Sequence, residues 1–399
     1  MRSCDIAVIG LGMIGAAALR ALSEGAPALS VVGLGPAEPV DWARSAGPFA
    51  SHYDHARITR ITDPDRIWAT LARRSIDAYP AIAVRGGRPF HHPSGHLRLG
   101  RGADDPLLAT AETLGRALDA PVEPCGETTL QVRFPYLRFP EGAVGLHASG
   151  GAGWINPRAL VAAQQAAAEA QGATLVRDAV TGIRRDGDGV AIATRAGATV
   201  HAARILLSAD DACGALLAPL LGAALTLEQQ AHTTVLAELR PEQAAALAAM
   251  PSLIWPLTDH PVLPSVYTTP PAPYPGGRWY LKIGGPLHTP LLLESPDAVR
   301  AWFQSSGNPV EIAALQAVLC ALVPGLSVLS WVSKPCMNSY TAHGRPYIDQ
   351  LARGVFLCTG GCGAAAKSSD AIGRLGARLA RHGGWDDPLP TEAFCAMFH

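Results

Sequence analysis

The apolar positions of this chain fall into two kinds of stretch: short solid runs ended by glycine, and longer alanine-rich segments with a helical period. Asp5-Ile6-Ala7-Val8-Ile9 is a run suited to a buried parallel strand. Gly10-Leu11-Gly12-Met13-Ile14-Gly15 follows at once. A helix is predicted from about Met13 to Leu22, and Leu29-Ser30-Val31-Val32-Gly33-Leu34 reads as a second strand. Strand, glycine turn, helix and strand make a βαβ dinucleotide unit. The glycines permit a tight turn and close backbone approach, and the helix N-terminus faces a pyrophosphate. The acid that normally ends the second strand and holds the ribose hydroxyls is replaced by Leu34. Glu38 and Asp41 follow in the loop, and neither is assigned to that task.

The segment from Phe49 to Arg60 is a polar loop predicted to enter a helix that continues through Trp68 to Ile76. Spacing of i, i+3 would set Arg57 and Arg60 on one face, where two guanidinium forks suit a phosphate, a ring oxygen or a carboxylate. Arg66, Arg73 and Arg74 read as a solvated basic face. Residues 84–150 are rich in glycine, proline and aromatics, with strand-like runs at Gly95–Leu99 and Gln131–Phe134. His91, His92 and His96 there read as loop histidines, because no cysteine or carboxylate follows at ligand spacing.

A helix from Ala159 to Gln171 and a strand at Gly172–Val176 come next. A meander follows, Val180–Arg184 and Gly189–Thr194, around the turn Asp186-Gly187-Asp188-Gly189, then a strand at Arg204–Ser208. From 214 to about 330 the chain carries strands at Thr233–Leu239 and Arg278–Gly285 and a helical stretch from Pro296 to Val323.

Composition narrows the class. The 399 residues are 48% hydrophobic and 16% charged, against a usual charged share of ~25%, so this is a core-rich globular protein. A net charge of −1 gives no electrostatic case for nucleic acid or an anionic membrane. No apolar stretch is long and charge-free enough to span a bilayer, and the N-terminus reads as a strand rather than a signal peptide, so a cytoplasmic location is expected. The eight cysteines are scattered and expected to be reduced. Cys358 and Cys362 lack a second pair, so no metal site is expected. Of 32 basic side chains only Lys282, Lys334 and Lys367 are lysines. Lys282 and Lys367 are assigned work that needs a compact or pKa-shifted ammonium, and Lys334 is read as chance retention. Lys282 sits between apolar residues on a strand, where desolvation depresses its pKa.

Four segments carry a family resemblance. They are Gly10/Gly12/Gly15; Ser51-His52 with Arg57 and Arg60; Leu281-Lys282-Ile283-Gly284; and Cys336-Met337 with Tyr347-Ile348-Asp349, Gly360, Gly363 and Lys367. Together they resemble the monomeric sarcosine oxidase family of FAD amine oxidases, within the D-amino-acid-oxidase-like fold, nearly from end to end. The resemblance implies an α/β protein: a Rossmann-like FAD-binding domain with a β-meander (1–83, 151–213 and 331–399) and an antiparallel-sheet substrate domain (84–150 and 214–330). It implies FAD joined through a thioether from Cys336 to the 8α-methyl carbon. Gly10, Gly12, Met13, Ile14, Gly15, Ser51, His52, Arg57, Val180, Cys336, Gly361, Gly363 and Lys367 would bind the cofactor. Arg57 would lie against the flavin ring, Arg60 and Lys367 would hold a substrate carboxylate, and Lys282 would promote reaction with O₂.

The implied activity is oxidation of a secondary, tertiary or cyclic amino or imino acid by a monomer, releasing hydrogen peroxide. A dehydrogenase with another electron acceptor and a non-catalytic flavin-binding subunit are the alternatives. The chain departs from the family pattern at Leu34, Tyr53, Asn338, Ala364, Ala365 and Ala209-Asp210-Asp211. The flavin link and carboxylate clamp therefore look retained while the amine pocket is rebuilt, which argues against sarcosine itself.

Overall fold

In the computed structural model, which describes residues 2–24, 29–41, 44–102 and 104–399, the first apolar run becomes the strand Arg2–Ile9. It lies inside an eight-stranded sheet, between the strands Thr199–Leu207 and Val31–Leu34, and pairs in parallel with both. Thr174–Val176 closes one edge. On the other side Thr199–Leu207 pairs with the meander strand Gly189–Thr194 along its first half and with Val355–Thr359 along its second. Parallel strands covered on both faces need solid apolar runs, and Val31–Leu34 and Val355–Thr359 are buried at every position.

The helix Met13–Ser23 is alanine-rich because it is hemmed in on several sides. It packs on the helix Ser369–His382, whose Gly373 comes so close that an added Cβ would lie 2.5 Å from the Ile14 carbonyl oxygen. Arg20 is 2% exposed and ties three helices together. Its guanidinium reaches Asp370 at 2.8 Å and also bonds Gln164 and Glu24, while the Gln164 amide donates to the same Asp370 oxygen at 3.0 Å. A buried pair broken on one side leaves an uncompensated charge. Arg20→Met is therefore expected to cost about 3–5 kcal/mol, read as a lowered urea midpoint.

A second sheet has nine strands. The long strand Leu227–Leu239 pairs antiparallel with Arg278–Gly284 on one edge and with Ser330–Thr341 on the other, in unbroken register from Leu227↔Thr341 to Glu238↔Ser330. The Cys336 strand thus hydrogen-bonds into this sheet. Ser265–Tyr274, Ser252–Pro256, His96–Leu99, Gly145–Ala148 and Val122–Cys125 continue it. A small third sheet joins Arg57–Thr59, Gly153–Ile155 and His91–His92. Among the described residues no helix is long and apolar enough to cross a membrane.

Four local expectations are corrected. The helix after the polar loop begins only at Arg66, capped by Asp65, and Arg57–Thr59 is a strand, so Arg57 and Arg60 share no helical face. Gln131–Phe134 lies on and just beyond the short helix Glu127–Arg133 rather than in a strand, because Leu130 and Phe134, four residues apart, turn into the core while Gln131, Val132 and Arg133 are exposed. His91, His92 and His96 lie on strands, not loops. The stretch from Pro296 to Val323 is two helices, Pro296–Phe303 and Pro309–Leu322, each started by a proline behind its own Ser295 or Asn308 cap.

Candidate active site

The turn after the first strand is shaped by how close its backbone runs to its neighbours. Gly10 has φ +95°, and a Cβ there would lie 2.4 Å from the Ser208 carbonyl oxygen. A Cβ on Gly15 would lie 1.8 Å from the Gly10 oxygen, so the turn cannot close around any side chain. Gly12 opens the helix Met13–Ser23 without a side-chain cap and faces His52, whose Nδ1 would lie 3.7 Å from a Cβ added at this glycine.

Against this turn lies a cavity of about 320 Å³, within the range of cofactor sites. Gly10, Gly12, Met13, Ile14, Ser51, His52, Val180 and Gly361 are among the residues that line it. Gly15 lies beneath the turn, and Gly363 sits near Tyr340 and Asn338. The cradle of uncapped helix and Cβ-free backbone fits a dinucleotide pyrophosphate. Glu38 stands on the lining, bonded to Arg158, while Asp41 pairs with Arg44 at the surface. The departure at Ala209-Asp210-Asp211 also faces this space: Asp210 lines it, and burial raises its carboxyl above the usual range. Burial, then Arg158 and Arg57, lowers His52 to about 3, which keeps its ring neutral at physiological pH.

A smaller cavity shares Ala50, Ser51 and Tyr53 with this one and is walled by Asp54, Arg57, Lys334 and Cys336. The pleat of Ser330–Thr341 puts Lys334, Cys336, Asn338 and Tyr340 on one face. Met337, on the other face, packs with Trp302 and Leu293. Arg57 Nη2 lies 3.5 Å from Cys336 Sγ and donates to the Ser51 carbonyl at 2.9 Å. Trp302 Nε1 donates to the Cys336 carbonyl at 2.8 Å and fixes the strand behind the thiol.

Lys282 enters from Arg278–Gly284, which is separated from the Cys336 strand by Leu227–Leu239, and is fully buried. Its ammonium bonds Asp54, donates to the Ala56 carbonyl at 2.8 Å and lies 5.5 Å from the Tyr267 ring centre. Burial first, and then Arg57, lowers its pKa to about 8, although Asp54 opposes the shift. Asp54 is the principal residue that sequence reasoning missed. Burial alone would raise its carboxyl, but Lys282, Arg57 and Lys334 overcome that and hold it well below the usual range. The available signal was an acid between His52 and Arg57, inside a segment already singled out.

Arg60 and Lys367 meet at a different carboxylate. Arg60 Nη1 lies 2.9 Å from Asp63 Oδ2, and Lys367 Nζ lies 3.2 Å from the same oxygen. Lys367 stands 5.0 Å from the centre of the Trp68 ring, and burial lowers it to about 8 while Asp63 opposes the shift. Asp63 was likewise unmarked in the sequence. Lys334, read as chance retention, walls the Cys336 cavity and donates to the Tyr53 carbonyl at 3.3 Å. All three lysines of the chain therefore sit at these two clusters.

The fold has close counterparts. NikD, described as an unusual amino acid oxidase essential for nikkomycin biosynthesis, superimposes with a TM-score of 0.78 at 19% identity, over 100% of this chain and 98% of that one. L-proline dehydrogenase from P. horikoshii gives 0.77 at 16%, over 99% and 97%. Glycine oxidase from Geobacillus kaustophilus gives 0.72 at 20%, over 100% of both. At these identities the likeness concerns the fold. In sequence, N-methyl-L-tryptophan oxidase from Salmonella arizonae is 28% identical over 207 residues, 51% of this chain and 53% of the relative. The same enzyme from Salmonella heidelberg is 27% identical over 215 residues, 53% and 55%. The chain thus spans about half the length of the curated relatives it matches. The family described as FAD dependent oxidoreductase matches residues 5–379, nearly the whole chain, and the protein belongs to that family.

Proposed function

We propose that this FAD-dependent oxidoreductase oxidises the C–N bond of a secondary, tertiary or cyclic amino or imino acid, with dioxygen as final electron acceptor. The observation that carries the reading is the meeting of Arg57, Lys282 and Cys336 at the small cavity that shares Ala50, Ser51 and Tyr53 with the cavity at Gly10. The activities named for N-methyl-L-tryptophan oxidase, NikD and glycine oxidase support the substrate class.

Bound FAD supplies the hydride acceptor. Gly10, Gly12, Met13 and Ile14 would hold its pyrophosphate on the helix N-terminus, and Cys336 would be the residue joined to it. Arg57 and Lys282 present fixed positive charge where negative charge develops on reduction. Arg60 and Lys367 bring two cations to one resident anion, Asp63, and so retain capacity for a substrate carboxylate. A carboxylate held there fixes the reacting carbon, which is the protein's chief contribution to rate.

A screen of N-methyl, cyclic, D- and L-amino acids for flavin bleaching and peroxide release tests the reading. The expected result is bleaching with peroxide formed in equal amount. Bleaching that needs an added dye for turnover identifies a dehydrogenase. No bleaching by any amino or imino acid overturns the substrate class.

A further inference from the structure

Asp54 belongs to no recognised motif, yet it is the carboxylate on which the cations beside Cys336 converge. Its side chain is 6% exposed and that of Lys282 is 0%. One carboxylate oxygen accepts from both Lys282 and Arg57. The other accepts from the Tyr274 hydroxyl at 2.8 Å and from the His55 backbone N–H at 2.8 Å. Both oxygens are thus held by two donors each, which leaves the group little freedom to turn.

The titratable groups that act on Lys282 come from three segments of the chain. Asp54 and Arg57 come from the loop and the strand Arg57–Thr59, Tyr267 comes from Ser265–Tyr274, and Cys336 comes from Ser330–Thr341. Of these, Asp54 is the carboxylate and the others are a guanidinium, a phenol and a thiol. An ammonium taken out of water beside a guanidinium gives up its proton unless a counter-charge holds it.

We propose that Asp54 is a positioning residue that keeps Lys282 a charged ammonium at a fixed point beside Cys336. The significance of that charge for dioxygen rests on the function proposed above. The pairing itself does not. Burial and Arg57 both act to discharge Lys282, and Asp54 opposes them through its charge and its hydrogen bond. Removing Asp54 converts the ammonium to a neutral amine in the neutral pH range.

The chain's three lysines make the test direct. Protein labelled with ¹³C at the lysine ε-carbons gives three side-chain signals, assigned by single substitution. In wild-type holoenzyme the Lys282 signal is expected to titrate near pH 8. In Asp54→Asn its midpoint is expected to fall by about two pH units, which leaves roughly a tenth of the wild-type ammonium at pH 7. The Lys367 signal, held by Asp63, should stay in place, and Asp54→Glu should restore the Lys282 midpoint. Reoxidation of the reduced holoenzyme by dioxygen should slow about tenfold at neutral pH in Asp54→Asn alone.

An unchanged Lys282 midpoint in folded Asp54→Asn overturns the proposal, as does an equal fall for Lys367. Should the variant fail to fold, wild type still decides: a Lys282 already neutral near pH 6 overturns it. Because the lysine titration needs no turnover, an enzyme that oxidises no amino acid defeats the functional reading and leaves this one standing on its own result.

Discussion

Cys336→Ser is expected to abolish covalent flavin retention outright. In the wild type, acid precipitation should leave a yellow pellet, and intact-mass spectrometry of denatured protein should show the polypeptide plus one FAD. In the variant the pellet should be colourless and the mass that of the bare chain. The argument is positional. Cys336 lies on the wall of the small cavity that shares Ala50, Ser51 and Tyr53 with the dinucleotide cavity. The other seven cysteines lie elsewhere: Cys4, Cys125, Cys213 and Cys358 are buried, Cys320 and Cys395 are exposed, and Cys362 contacts Thr341. Serine keeps the size of the side chain but forms no thioether. A bare wild-type chain from a fully yellow preparation would end the idea.

Lys282→Met is the second large effect. Methionine fills the same buried volume without charge, so the sheet should survive while the cation beside Arg57 is lost. Reoxidation by dioxygen is expected to fall by about 10²–10³, the usual consequence of deleting one preorganised electrostatic group. Reduction by substrate should change by less than about tenfold, because Arg60 and Lys367, at Asp63, are untouched. Stopped-flow measurement of the two half-reactions separates these outcomes, and equal losses in both would count against a role specific to dioxygen.

The pH dependence follows from the same group. Lys282 loses its charge as pH rises through about 8, below the value of 10.5 for free lysine. The wild-type reoxidation rate should therefore decline above about pH 8, and the methionine variant should lack that limb. The sign for stability is opposite. Between about 8 and 10.5 the unfolded lysine still holds its proton while the folded one has released it. On this group's account the unfolded state binds more protons there, and stability rises with pH.

Much of the scaffold could be read from local pattern. The run Asp5–Ile9, the glycine turn, the alanine-rich helix and the meander each declare themselves within about ten residues, because strand and helix periods and turn glycines are local properties. Cys336, Lys282, Lys367 and Arg57 were also visible, as unusual residues in recognisable company. The segment 57–60 was misread because alternation is too short there to separate strand from helix, and its strand exists only through pairing with Gly153–Ile155, about a hundred residues away.

Residue order was enough to point to a dinucleotide unit at the first helix, and to single out the cations and the thiol. How those cations are neutralised emerges only once the chain is folded. Asp54 and Lys282 are 228 positions apart, and Asp63 and Lys367 meet only where the two ends of the chain come together. Charges interact through space with a strength set by distance and burial, and neither quantity is written in the order of residues.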